Sequence, residues 1–370
     1  MSSVAIIGTR GYPSYYGGFE TAVRKLAPYL ADRDWDVTVY GRKGMTRDAD
    51  PSADSRIRRI VTSGIETRSL STLSYGLTAC LHAAGEKPDV VLLMNVANGY
   101  FLPLLKAQDI PTLVNVDGIE WDRAKWGRLA KAVFRIGARL TARYGTRTVY
   151  DSQEIARRWN EEFNRDGDFI PYGGDVVGEL PIEPGLTHRG YVLVVARFVP
   201  ENTIAEFTEA AESISRSHQV VIVGSSGYGG GLEERVRVLS EQRSSVTWLG
   251  HISDDVRLLS LWQHAGVYFH GHSVGGTNPA LVQAMACGAP IVARDTPYNR
   301  EVLGDEGALY AVPNAGSISA QVSELMTSPM LQELLSTRVL ERAVRAYRWT
   351  DICESYHKSL TELVANKGRK

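Results

Sequence analysis

VYFHGHSVGGTNPALVQAMACGAPIVARD, residues 267–295, reads as one strand–loop–helix–strand unit. The run 267–271 is short, apolar and rich in aromatic and β-branched residues, as a buried strand requires. A glycine-bearing polar loop follows, and Pro279 stands at the first turn of a helix, where a missing N–H does no harm. ALVQAMACG (280–288) keeps helical character up to a glycine, and PIVARD (290–295) returns to strand character. Two strands joined through a helix in so short a span are expected to lie parallel, with the helix as the crossover.

The same alternation extends in both directions. YVLVVAR (191–197), QVVIVGS (219–225) and SVTWLG (245–250) precede the unit, and ALYAV (308–312) follows it. An earlier series comprises VAIIG (4–8), DVTVYG (36–41), DVVLLMN (89–95), PTLVNVDG (111–118), TRTVYDS (146–152) and GDFIPYG (167–173). Between the first two runs, 19–32 sets Phe19, Ala22, Val23, Leu26, Leu30 and Ala31 on one helical face. The stretch Asp175–Gly190 is polar, holds Pro and Gly, has no period, and reads as a linker. Two strand–helix series either side of a linker predict an α/β chain of two Rossmann-like, doubly wound domains facing a cleft. The expected division is 1–174, a linker at 175–190, a second domain at 191–346, and a helical tail over 347–370.

The bulk properties agree with this. A chain of 370 residues is long for one core, and 44% hydrophobic with 22% charged residues is a globular composition. A formal net charge of −1 gives no overall bias toward nucleic acid. Cys80, Cys287 and Cys353 are far apart and form no C-x-x-C pair, which suits a reducing compartment and argues against a metal cluster. Met1-Ser2-Ser3 leads into a strand with no signal-peptide pattern, and no apolar run approaches bilayer-spanning length. The expectation is a soluble, cytoplasmic protein, at most peripheral to a membrane.

Two glycine-rich turns are candidate ligand loops. Gly8-Thr9-Arg10-Gly11 and Gly17-Gly18 lie between the first strand and first helix, where glycine allows a ligand close to the backbone and the helix offers unpaired N–H groups. A plain tight turn is the other reading, and the spacing is not that of a dinucleotide fingerprint. In the second, the amides of Gly276, Thr277 and Asn278 open the helix at 280, and a diphosphate suits such a turn. Asp48-Ala49-Asp50 spells Asp-x-Asp but sits in a polar loop and reads as surface. His270 and His272 alternate along a strand end without a third ligand at metal-site spacing, so no metal is expected.

Laid end to end, these segments resemble family 4 of the glycosyltransferases, and within it the bacterial rhamnosyltransferase-like subgroup. The resemblance runs through VAIIGTRGYPSYYGGFET (4–21), NVDGIEWDRAKWG (115–127), YDSQEI (150–155), IPYGGD (170–175), ARFVPEN (196–202), VGSSGYG (223–229), LGHISD (249–254), 270–295 and YRWTDICESYHKSL (347–360). It implies the GT-B fold, an acceptor-binding first domain, a nucleotide-sugar-binding second domain, and a C-terminal helix crossing back to the first. It also implies retention of anomeric configuration without a metal or other cofactor, and the subgroup resemblance alone implies dTDP-L-rhamnose as donor, composition leaving a UDP- or GDP-sugar open.

Residue by residue, the resemblance implies that Arg197 meets the donor diphosphate, where a fixed fork of donors suits phosphate oxygens. Gly17 and Gly18 match its N-terminal glycine loop, and Asp117 lies where relatives face the sugar with His or Asp. Asp117 is thus the candidate catalytic carboxylate, the alternative being a cap on the turn after its strand. The family lysine five residues after the arginine is Asn202 here. The family's paired glutamates fall at Gly275 and Gln283: the first cannot bind a sugar, and the second still can bond a hydroxyl. Recognition then passes to Gly275, Gly276, Thr277 and Asn278. Gly224, His251 and Ile252 are expected with Gln283 at the donor nucleoside.

From 121 to 147 the chain carries Arg123, Lys125, Arg128, Lys131, Arg135, Arg139, Arg143 and Arg147 against one acid, Asp122. Over 128–144 Leu129, Ala132, Val133, Ile136 and Leu140 share a helical face. A basic amphipathic helix suits an anionic membrane, with Arg128, Lys131, Arg135 and Arg139 as its acceptor-side face. An ordinary domain helix with a solvated basic face is the alternative. The expected activity is sugar transfer to a glycan or polyprenyl-linked acceptor at the inner membrane face. A nucleotide-sugar epimerase and a non-catalytic nucleotide-sugar-binding protein are the rivals.

Overall fold

The computed structural model describes residues 1–370 apart from 16, 47–49, 52, 66–70, 124–125, 227–228, 306 and 368–370. The D-x-D residues Asp48 and Ala49, and Lys125 of the basic run, therefore lie outside the described residues. By contacts the chain divides into Met1–Tyr172 with Trp349–Lys370, and Gly173–Arg348.

In the first unit the Val- and Ile-rich runs become strands: β1 (Ser2–Ile7), β2 (Trp35–Arg42), β3 (Arg58–Thr62), β4 (Val90–Met94), β5 (Thr112–Asn115), β6 (Arg147–Tyr150) and β7 (Asp168–Phe169). They form one parallel sheet in the order β3-β2-β1-β4-β5-β6-β7. The intervening helices are α1 (Gly18–Ala31), α2 (Ser71–Glu86), α3 (Leu102–Ala107), α4 (Arg128–Tyr144) and α5 (Gln153–Phe163). Strand side chains alternate between two cores. Val4, Ile6, Leu92 and Leu113 meet α1 on one face, while Ala5, Ile7, Leu93 and Val114 meet α2 and α3 on the other.

The second unit repeats the scheme with β8 (Tyr191–Val195), β9 (Gln219–Val223), β10 (Val246–Trp248), β11 (Val267–His270), β12 (Ile291–Arg294) and β13 (Leu309–Ala311). Their order, β10-β9-β8-β11-β12-β13, is again wholly parallel. The helices α6 (Ile204–Ile214), α7 (Gly231–Gln242) and α11 (Ala315–Met326) cover one face. The helices α8 (Asp255–His264), α9 (Pro279–Ala286), α10 (Pro297–Leu303) and α12 (Pro329–Ala346) cover the other. Residues 175–190 carry no helix or strand but are anchored along this unit. Leu180 N–H donates to Gln263 Oε1 at 2.8 Å, Arg189 Nη1 to Ala265 O at 2.8 Å, and Val177 and Leu186 pack on the core.

The last helix, α13 (Trp349–Lys367), belongs to the first unit. Trp349, Ile352, Cys353, Tyr356, Leu360 and Leu363, spaced three or four apart, are buried against α1 and the sheet. Each large apolar side chain buried this way contributes about 1.5–3 kcal/mol before the cost of ordering it.

Both sheets reverse their strand order beside the first strand, between β1 and β4 and between β8 and β11. In open parallel sheets ligands bind outside the carboxyl ends of the strands at such a point.

Candidate functional site

In the second unit, Arg197 follows β8 and the 271–278 loop follows β11, so both stand at that unit's switch point. The segments are tied together by polar contacts. Asn202 Nδ2 donates to Arg197 O at 2.8 Å, and Asn202 Oδ1 lies 2.6 Å from His272 Nδ1. An amide oxygen only accepts, so His272 carries its proton on Nδ1. Thr203 Oγ1 donates to Gly271 O at 2.6 Å, and Ser273 N–H donates to Glu201 O at 2.9 Å. A Cβ on Gly271 would collide with Asn202 O, which accounts for glycine there. The Arg197 guanidinium is exposed and has no hydrogen-bond or ion-pair partner among the described residues.

Gly275 has φ +91°, a conformation glycine adopts without the strain any side chain would bring. This is a backbone reason for the missing carboxylate at 275. Thr277 is 3% exposed. Asn278 caps α9 by accepting from Ala280 N–H at 2.9 Å, ahead of Pro279. Its side chain thus shapes the turn rather than projecting from it.

At the neighbouring strand ends, Gly224 N–H donates to Gly250 O at 2.7 Å, and Phe198 stacks on Trp248 with centroids 6.0 Å apart. His251 is exposed beside them. Two expected nucleoside residues take other tasks. Ile252 is 8% exposed and its side chain belongs to the hydrophobic core. Gln283 clamps Asp175, accepting from its N–H at 3.0 Å and donating to its carbonyl at 2.8 Å. Its amide is committed to the 175–190 stretch, not held ready for a ribose.

His270 is buried, with Nδ1 3.1 Å from the Tyr268 hydroxyl and Nε2 without a hydrogen-bond partner among the described residues. Burial lowers its pKa to about 3, so the ring is neutral. Among the described residues no three His, Cys, Asp or Glu side chains gather as a metal-binding group.

In the first unit Gly17 precedes α1, Gly18 opens it, and Glu20 in its first turn accepts from Arg10 N–H at 3.1 Å, closing the glycine loop. Asp117 follows β5 with φ +68°, a left-handed conformation that costs an L-residue on the order of 1 kcal/mol. Its N–H donates to Asn115 Oδ1 at 2.9 Å, and Asn115 Nδ2 donates to Tyr356 Oη at 2.7 Å. Burial first, then the nearby Asp117 and Asp151 charges, push the Tyr172 hydroxyl well above its usual range. Neither Asn202 nor the Asn115–Tyr356 pair stood out as a functional element in the sequence.

Helix α4 packs through Gly137, Ala138 and Thr141, with Gly137 and Gly99 so close that a Cβ on either would collide with backbone. Its bulkier apolar residues consequently face outward: Leu129 is 81% and Ile136 45% exposed. Arg128, Lys131 and Arg139 have no polar partner among the described residues, whereas Arg135 pairs with Glu162 at 2.7 Å. No described helix is long and apolar enough to cross a membrane.

Comparison with known proteins agrees with this architecture. Residues 182–342 match the family model described as Glycosyl transferases group 1, and residues 1–175 match a domain of unknown function, DUF1972. A phosphatidyl-myo-inositol mannosyltransferase of Mycolicibacterium smegmatis is 30% identical over 209 residues, covering 53% of this chain and 52% of the relative. An O-antigen chain mannosyltransferase B of Escherichia coli is 27% identical over 215 residues, covering 54% and 55%. The chain thus spans a little over half the length of these relatives. Among solved structures, sucrose-phosphate synthase of Thermosynechococcus elongatus superposes with TM-score 0.81 at 18% identity, over 99% of this chain and 100% of that one. WaaG, a glycosyltransferase involved in lipopolysaccharide biosynthesis, gives 0.71 at 13%, over 98% and 99%. The chain is a two-domain α/β protein of the GT-B fold, and its residues 182–342 match the glycosyl transferases group 1 model.

Proposed function

We propose that the protein is a retaining, metal-independent glycosyltransferase that moves a sugar from a nucleoside diphosphate to a glycan or polyprenyl-linked acceptor. The observation that carries this is the exposed Arg197 guanidinium, without a polar partner among the described residues, at the switch point of the second unit, with the Arg197 backbone tied through Asn202 to the 271–278 loop that opens α9. As the sugar–diphosphate bond breaks, negative charge builds on the leaving oxygens while the sugar becomes oxocarbenium-like. Arg197 and the backbone amides at 276–278 are suited to the first charge. The Asp117 carboxylate, held in a strained turn in the first unit, is suited to the second.

The exposed apolar and basic residues of α4 support an acceptor presented at an anionic, cytoplasmic membrane face. The donor we assign is dTDP-L-rhamnose, on the GGTNP loop and the resemblance it carries. GDP-mannose is the second reading, favoured by the mannosyltransferase relatives. A thermal-shift panel of dTDP-rhamnose, UDP-glucose, UDP-N-acetylglucosamine, GDP-mannose and the free diphosphates tests the assignment. A ligand at 100 times its Kd stabilises by about 2.7 kcal/mol, a shift such an assay resolves. A shift with the dTDP pair alone is expected; a shift confined to the GDP pair moves the assignment to mannose. No shift with any of them counts against a nucleotide-sugar site.

A further inference from the structure

We infer that Tyr356 of the last helix is a positioning residue, acting through Asn115 to hold the Asp117 backbone in the conformation that aims its carboxylate. The inference rests on the reading of Asp117 as the carboxylate that serves the sugar.

Asp117 leaves β5 with φ +68°, a conformation Asp adopts only where something local holds it. Within the turn Gly118 N–H donates to Val116 O at 2.9 Å, and the hold from a side chain is Asn115. Its Oδ1 accepts the Asp117 N–H at 2.9 Å, and a backbone N–H can only donate, so the amide orientation is settled. The other end of that amide, Nδ2, must then face Tyr356 Oη, which accepts at 2.7 Å. Asn115 is 2% and Tyr356 3% exposed, so water does not replace either partner cheaply. Burial, with the charges of Asp151 and Asp117 adding to it, keeps the Tyr356 hydroxyl protonated.

The sequence separation is 241 residues, and Tyr356 lies on a helix packed against α1, β4 and β5. The conformation at Asp117 is therefore completed only when α13 has docked on its unit. Loss of either hydrogen bond lets Asn115 rotate and removes its support from a turn otherwise closed by Gly118 N–H to Val116 O, so that the carboxylate shifts. Tyr356→Phe removes one oxygen and keeps the aromatic packing of α13. Asn115→Ala severs the bracket at its centre, and Asn115→Ser keeps a short acceptor for the Asp117 N–H while losing the link to Tyr356.

The 370-residue chain is tested by amide hydrogen exchange and by steady-state release of nucleoside diphosphate from dTDP-L-rhamnose and GDP-mannose. Tyr356→Phe should speed exchange at the Asp117 amide by roughly tenfold while the amides of α13 stay protected. It should lower kcat by roughly tenfold with donor KM within about twofold, because the donor nucleotide is held by the other unit. Asn115→Ala should be more severe, with Asn115→Ser partly restoring kcat. Unchanged exchange at Asp117 in Tyr356→Phe and Asn115→Ser would overturn the bracket, as would kcat and KM shifting together. Asp117→Asn separates the two ideas: wild-type kcat in that variant removes the catalytic reading of Asp117, while the exchange result decides the bracket by itself. Should Tyr356→Phe not fold, Asn115→Ser carries the same exchange test.

Discussion

Replacing Arg197 with alanine separates a binding residue from a structural one. The guanidinium is exposed and touches no polar partner among the described residues, so its removal should leave the fold intact, with Tm changed by about 1 °C or less. A forked contact with a diphosphate supplies two charge-assisted hydrogen bonds of about 1.5–3 kcal/mol each. Because the site is open to solvent before binding, the lower end applies, about 3 kcal/mol in all, or roughly 150-fold in Kd. Arg197→Lys keeps the charge and loses the fork, and should retain part of the affinity. Titration calorimetry with the free nucleoside diphosphate and the corresponding nucleoside reads this directly. The diphosphate should weaken by about two orders of magnitude and the nucleoside hardly at all. Equal diphosphate affinity in wild type and Arg197→Ala would refute the placement of the site.

Asn202→Lys restores the residue type common in the resembling family, yet here it should weaken the protein. It breaks the bonds to Arg197 O and His272 and places an ammonium at a site 7% exposed, costing about 2–4 kcal/mol or roughly 5–10 °C in Tm by calorimetry. His270 is held neutral by burial, with its pKa lowered to about 3 from an unfolded value near 6.5. Its contribution is therefore complete above about pH 6.5 and is lost as pH falls toward 3, about 2 kcal/mol between pH 6.5 and 5. Denaturant titrations of wild type and His270→Gln across that range should show the variant less pH-sensitive; parallel curves would contradict this. Arg128→Glu/Arg139→Glu should release the protein from vesicles containing anionic lipid in co-sedimentation, without changing Tm. Arg135→Glu is a poorer probe because it also breaks the Glu162 pair.

The fold was legible because buried parallel strands leave continuous apolar runs, and every run from VAIIG to ALYAV became a strand or its flank. The edge strand β3 was missed for the same physical reason: Arg58–Thr62 is mostly exposed and carries no apolar run. In α4 the apolar stripe was readable but its direction was not. Only the close approach of Gly137 to Gly99 shows that the helix packs through its small residues and turns Leu129 and Ile136 outward. The glycine loops announced themselves by composition, whereas the side chains that shape the site did not. Asn115 meets Tyr356 across 241 residues, and Asn202 meets His272 across 70, distances over which no local pattern speaks. Gln283 kept a hydrogen-bonding side chain at an expected ligand position, and the structure spends it on Asp175.

The most direct test is to follow nucleoside diphosphate release and sugar incorporation together, supplying dTDP-L-rhamnose or GDP-mannose and a bacterial membrane-lipid fraction as acceptor source. Release should be matched by incorporation into the lipid or glycan fraction, and both should be lost in Arg197→Ala and in Asp117→Asn. Binding of the nucleotide sugar with no release, or conversion of the donor sugar with no transfer, would contradict it.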